Sequence, residues 1–75
     1  MPKLPVLSAR ECVTALQRGG FYISRQKGSH ITLRRDTPPG RVTVPNHKEL
    51  KPGMLRGIIR QAELTVDEFI ALLKD

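Results

Sequence analysis

Phe21 to Pro45 reads FYISRQKGSHITLRRDTPPGRVTVP, and the fold is decided in this stretch. It opens with an alternation, Phe21 and Ile23 on one parity and Tyr22, Ser24 and Gln26 on the other, which predicts a strand with one wet face. Lys27-Gly28-Ser29 breaks it. His30 to Arg35 then reads as a second strand, with Ile31 and Leu33 inward and His30, Thr32 and Arg34 outward. Asp36-Thr37-Pro38-Pro39-Gly40 is a turn-rich connection, and Arg41 to Val44 returns as a third strand with Val42 and Val44 inward. Such short connections make the sheet antiparallel. Because side chains alternate along a strand, the expected covered face holds Phe21, Ile23, Ile31, Leu33, Val42 and Val44. The open face carries Tyr22, Ser24, His30, Thr32, Arg34, Arg41 and Thr43, so His30 is expected in water beside bases.

Helices flank this centre. Ser8-Ala9-Arg10-Glu11 has the serine-to-glutamate spacing of a capping box. The helix it opens has an apolar stripe at Ala9, Cys12, Val13 and Leu16 and a stop at Gly19-Gly20. Beyond the sheet, Pro45 ends the third strand. Lys51-Pro52-Gly53 leads into a helix with Leu55, Ile58, Ile59 and Ala62 at helical spacing, and proline suits its first turn. Thr65-Val66-Asp67-Glu68 is a second capping box, opening a last, short helix with Val66, Phe69, Ile70 and Leu73 as its inner stripe. The fold class is α+β: a helix, a three-stranded antiparallel sheet, then two helices, in one domain over residues 1–75.

With 75 residues there is room for one small core, and 39% hydrophobic against 27% charged residues fits a folded chain. Cys12 is the only cysteine, so no internal disulfide is available, and a lone thiol on an apolar stripe reads as packing rather than a nucleophile. Met1 to Leu7 has no apolar run of signal-peptide length, and no stretch approaches a membrane span. The expected location is cytoplasmic.

The net charge of +6 is unevenly spread. Arg25, Lys27, Arg34, Arg35, Arg41, Lys48, Lys51, Arg56 and Arg60 face only Asp36 and Glu49 over the centre. After Arg60 the balance turns acidic, with Glu63, Asp67, Glu68 and Asp75 against Lys74. A polyphosphate partner requires such segregation, since neutralised phosphates release counterions; a merely solvated basic face accounts for it equally.

Histidines occur only at 30 and 47 and no zinc spacing is present, while magnesium chemistry would need converging carboxylates that the basic centre lacks. No metal or cofactor is expected. No glycine-rich phosphate loop or Ser-His-Asp set is present either. RNA cleavage without metal is still open, because RNA carries its own nucleophile in the 2′-hydroxyl and an imidazole can move the proton. Arg25, Lys27, Arg34 or Arg41 would then hold the phosphate.

The blocks Lys27-Gly28-Ser29-His30, Val44-Pro45-Asn46-His47, Glu49-Leu50-Lys51-Pro52-Gly53, LRGIIRQA from Leu55 to Ala62, and Asp67-Glu68-Phe69 resemble, in order and spacing, the signature blocks of HicA toxins. The resemblance runs from Ser8 to the end. It implies an mRNA interferase that cuts transcripts independently of the ribosome and is held inactive by a HicB-type antitoxin in a hetero-oligomer. It implies an α-β-β-β-α fold similar to double-stranded-RNA-binding domains, with His30 as the catalytic histidine, Gly28 and Ser29 beside it at the RNA, and His47 as a positioning residue. Two departures stand out: Met54, where the family usually has Thr, and Glu63, where Gly commonly follows the helix.

Two other classes compete. A non-catalytic RNA-binding module would use the same fold and charge, although Lys48 to Pro52 lacks the dense lysine cluster such modules present. A DNA-binding helix-turn-helix over Leu55 to Leu73 is disfavoured by the acidic start of its second helix.

Overall fold

Ser8 starts the first helix, α1 (Ala9–Arg18), by a reciprocal exchange. The Glu11 amide donates to Ser8 Oγ at 3.1 Å and the Ser8 amide donates to Glu11 Oε1 at 3.0 Å. The backbone bond from Ser8, then its hydroxyl, holds the Glu11 carboxyl below its ordinary range. At the other end Gly20 takes the left-handed turn at φ 99°, while Gly19 stays at φ −85°. This computed structural model describes residues 4–74. The readings that rest on Met1 to Lys3 and on Asp75 lie outside the described residues.

Three strands follow, β1 (Tyr22–Lys27), β2 (His30–Arg35) and β3 (Gly40–Pro45), paired antiparallel in the order β1-β2-β3. The chain closes with α2 (Pro52–Gln61) and α3 (Val66–Leu73). An isolated antiparallel bridge between Leu7 and Leu50 ties the segment before α1 to the segment before α2. The α+β architecture expected from the sequence is the one observed.

Ile31, Leu33, Val42 and Val44 face the helices and are buried with Cys12, Leu16, Leu50, Leu55 and Phe69. At the α3 start the Glu68 amide donates to Thr65 Oγ1 at 3.0 Å, and the Thr65 amide donates to Glu68 Oε1 at 2.7 Å. Only Phe69 of its inner stripe is fully buried; Val66, Ile70 and Leu73 pack on the core from its margin. Phe21, just before β1, is also buried, with the Arg35 guanidinium 4.5 Å from its ring centre.

One strand departs from the expected alternation. Ile23 pairs with Leu33 but Arg25 pairs with Thr32, so Ser24 is an extra residue in β1. This is a β-bulge, and it reverses the parity of everything after it. Gln26 therefore faces the helix side opposite Ile31, and it lines the groove between β1 and α1 with Ile23 and Ile31. Strict alternation instead predicts Gln26 on the parity of Tyr22 and Ile23 in the core. Ile23 does share the face of Leu33, yet it is 46% exposed, because β1 is an edge strand that the helices do not fully cover.

The α2 end explains the Glu63 departure. The Leu64 amide donates to the Ile59 carbonyl at 3.2 Å and the Glu63 amide to the Arg60 carbonyl at 3.0 Å, the paired bonds of a Schellman stop. Glu63 holds the left-handed position at φ 57°, which costs an L-residue roughly 1–2 kcal/mol. Glu63→Gly removes that cost and adds back some unfolded-state freedom. The expected net gain is about 1 kcal/mol, or roughly 4–8 °C in Tm for a chain of this size. Thermal melting monitored by circular dichroism checks it, and an unchanged or lower Tm would count against strain at this turn.

Candidate functional site

The site is built on the β1–β2 hairpin. Lys27 pairs with His30, leaving Gly28 and Ser29 as a two-residue turn. Gly28 has φ 58°, the left-handed value that the first central residue of a tight type II′ hairpin turn requires and that glycine adopts without strain. The tip is tied down from the third strand: the Asn46 amide donates to the Ser29 carbonyl at 2.6 Å. Two sequence blocks, Lys27 to His30 and Val44 to His47, thus meet in space. Nothing in the local pattern pointed to this bond, because it joins main-chain groups of two different turns.

Antiparallel partners project to the same side of a sheet, so the register arranges the open face in three rows. Lys27, His30 and Pro45 form the first row, Arg25, Thr32 and Thr43 the second, and Tyr22, Arg34 and Arg41 the third. His30 is exposed, as expected. The Ser24 bulge is what brings Arg25 and Lys27 to this face, since unbroken alternation from Ile23 would have turned both toward the helices.

The expected binding residues do not all gather around His30. Lys27, Gly28 and Ser29 adjoin it, and Arg25 stands one row away. Arg34 and Arg41 lie four residues along β2, about 13 Å off at the rise of a strand, and they cluster instead at the opposite end of the face. That end is an open depression of about 600 Å³ lined by Tyr22, Arg34, Arg35, Asp36, Pro39, Gly40 and Arg41. Tyr22 Oη donates to Asp36 Oδ1 at 3.0 Å, and this hydrogen bond raises the phenol above its ordinary range. The sequence reading placed Tyr22 on the open face without assigning it a role; an aromatic flanked by outward arginines was the available signal.

His47 is two residues beyond Pro45, the partner of His30. Its side chain is exposed, and its main chain does the joining: the Ala9 amide donates to the His47 carbonyl at 2.9 Å, and the His47 amide donates to the Pro45 carbonyl at 2.9 Å. The end of β3 is thereby clamped to the start of α1.

Other nucleophiles and ligands are placed elsewhere. Cys12 is fully buried, and burial pushes its thiol up to about 12, which removes the thiolate a nucleophile needs. Among the described residues, no three His, Cys, Asp or Glu side chains converge on a point, and no helix is long and apolar enough to cross a membrane. Met54 is 44% exposed in the first turn of α2.

A family model described as HicA toxin of bacterial toxin-antitoxin matches residues 9–64 of the chain. No curated protein matches it. The matched span runs from the first residue of α1 through the turn after α2, and so contains the hairpin, all three rows and both histidines.

Proposed function

Because this chain belongs to the HicA toxin family, and is thereby a toxin of the bacterial toxin-antitoxin kind, we propose that it is a single-domain, ribosome-independent mRNA interferase in which His30 is the general acid and base. In this reading a ribose 2′-hydroxyl gives its proton to the His30 imidazole as its oxygen attacks the adjacent phosphorus. The bond from phosphorus to the 5′ oxygen breaks, and the proton passes to that leaving oxygen. The products are a 2′,3′-cyclic phosphate and a 5′-hydroxyl, with no redox change. Such proton transfer is worth roughly a hundred- to ten-thousandfold in rate.

The supporting observation is the hairpin register, which sets exposed His30 beside Lys27 with Arg25 in the next row. Cations aimed where phosphorane charge develops lower the barrier further. Gly28 and Ser29 let the backbone approach the RNA, and His47 positions the β3–α1 junction behind His30. A HicB-type antitoxin, covering His30 in a hetero-oligomer, would silence the enzyme in the cytoplasm, where its transcripts are.

Incubating the purified protein with unstructured single-stranded RNA in chelator tests the reading. Fragments ending in cyclic phosphate are expected. RNA recovered intact but bound would instead leave a binding module without catalysis.

A further inference from the structure

The far end of the open face holds an arrangement that the chemistry at His30 does not use. Arg34 and Arg41 are cross-strand partners on the same side of the sheet. The Thr43 amide turns away from β2 to donate to Gln61 Oε1 at 3.1 Å, so Thr32 and Thr43 form a non-hydrogen-bonded pair. Two residues along, Arg34 and Arg41 do as well, and such pairs bring Cβ atoms to roughly 4.5–5.5 Å. Like charges directly opposite each other disfavour the sheet. Among the described residues neither guanidinium has a hydrogen-bonded side-chain partner, whereas Arg35 next door donates to the Pro38 and Ala62 carbonyls.

Tyr22 completes the row. It is 45% exposed at an edge strand, its hydroxyl anchored by Asp36, in the depression that both arginines line. An aromatic ring tethered at its tip loses little freedom when a flat partner settles on it. Two guanidiniums without a hydrogen-bonded side-chain partner, against the single Asp36 carboxylate that Tyr22 already engages, match beside such a ring one repeating ligand, a nucleic-acid strand whose phosphates and bases alternate.

We propose that Tyr22, Arg34 and Arg41 form a second subsite for single-stranded RNA, where Tyr22 stacks on a base and the arginines take a backbone phosphate. It lies about 13 Å from His30 along β2, within reach of the same strand and clear of the scissile linkage. The proposal rests on the RNA reading above but not on catalysis at His30. The subsite retains and orients the strand; it moves no proton.

The test measures binding and cleavage separately. On a His30→Ala background, fluorescent oligouridylate binding should weaken roughly five- to hundredfold in Tyr22→Ala, the range for loss of one stacked base. Tyr22→Phe, which keeps the ring, should bind nearly as the parent. Arg41→Gln should weaken binding and make it less salt-dependent. With His30 present, Tyr22→Ala should raise KM for long RNA while cleaving a dinucleotide, too short to reach the subsite, at the parental rate. Unchanged oligouridylate affinity in folded Tyr22→Ala and Arg41→Gln overturns the proposal, as does weakened capture of the antitoxin in its place. Loss of dinucleotide cleavage in Tyr22→Ala also overturns it, by putting Tyr22 at the reacting centre. If the parent binds oligouridylate through Tyr22 yet cleaves nothing, the subsite stands and the nuclease reading fails.

Discussion

Replacing His30 by alanine is expected to lower RNA cleavage by roughly a hundred- to ten-thousandfold, the contribution of a positioned proton-transfer group. The fold should survive the change. His30 is exposed at the first position of β2, outside the hydrophobic core, and surface substitutions of this kind usually alter stability by about 0.5 kcal/mol or less. Initial rates on labelled RNA and a urea titration of the same preparations separate the two effects. In cells, induction of the parent without its antitoxin should arrest growth and deplete transcripts, and the variant should be harmless. Equal cleavage by both proteins would remove His30 from the mechanism, whereas equal loss of rate and stability would make its role structural. Loss of rate alone, with RNA still bound, is the outcome the proposed chemistry requires.

Phe69→Ala should be the most damaging single truncation for stability, at about 3–5 kcal/mol. Phe69 heads the fully buried side chains by size, and it sits on α3, which falls beyond the matched span of residues 9–64. A small domain's total stability is only about 5–15 kcal/mol. The variant is therefore expected to lose a large share of that margin and to show a sharply reduced urea midpoint. Packing explains why α3 matters. It lies against α1, and Arg18 Nη1 donates to the Leu72 carbonyl at 2.8 Å, closing the exposed end of α3. Ile70→Ala, at a half-buried neighbour, should cost distinctly less. A Phe69→Ala midpoint near the parental value would show that the core closes without α3.

Much of this was legible in the residues. Both capping boxes are visible in sequence because they need only a hydroxyl and a carboxylate three residues apart, and both are formed. The β2 and β3 faces read correctly because strict alternation with buried aliphatics on one parity leaves a single register that hides them. His30 on the open face followed from the same parity. The β1 face was not legible past Ile23, since Ser24 has no property that marks it as an extra residue; a bulge is defined by the partner strand, which local periodicity does not see. The separation of Arg34 and Arg41 from His30 was hidden for another reason. Parity reports which side a residue occupies, and position along the strand decides what it touches. Glu63 was visible as an oddity, and its left-handed turn became evident only with the backbone.

The interval from Ile23 to Arg25 is the one place in β1 where the toxin can lose a residue and keep its two faces. Removing Ser24 would leave Ile23 opposite Leu33 and Arg25 opposite Thr32 in an unbroken ladder, so the guanidinium and ammonium downstream would stay on the imidazole's side and Gln26 beneath the sheet. The electrostatic field over the hairpin would be kept, and the strand would lose only the extra local twist that the bulge adds. Point changes at 24 and a single-codon deletion there should thus both leave RNA cleavage close to the parental rate.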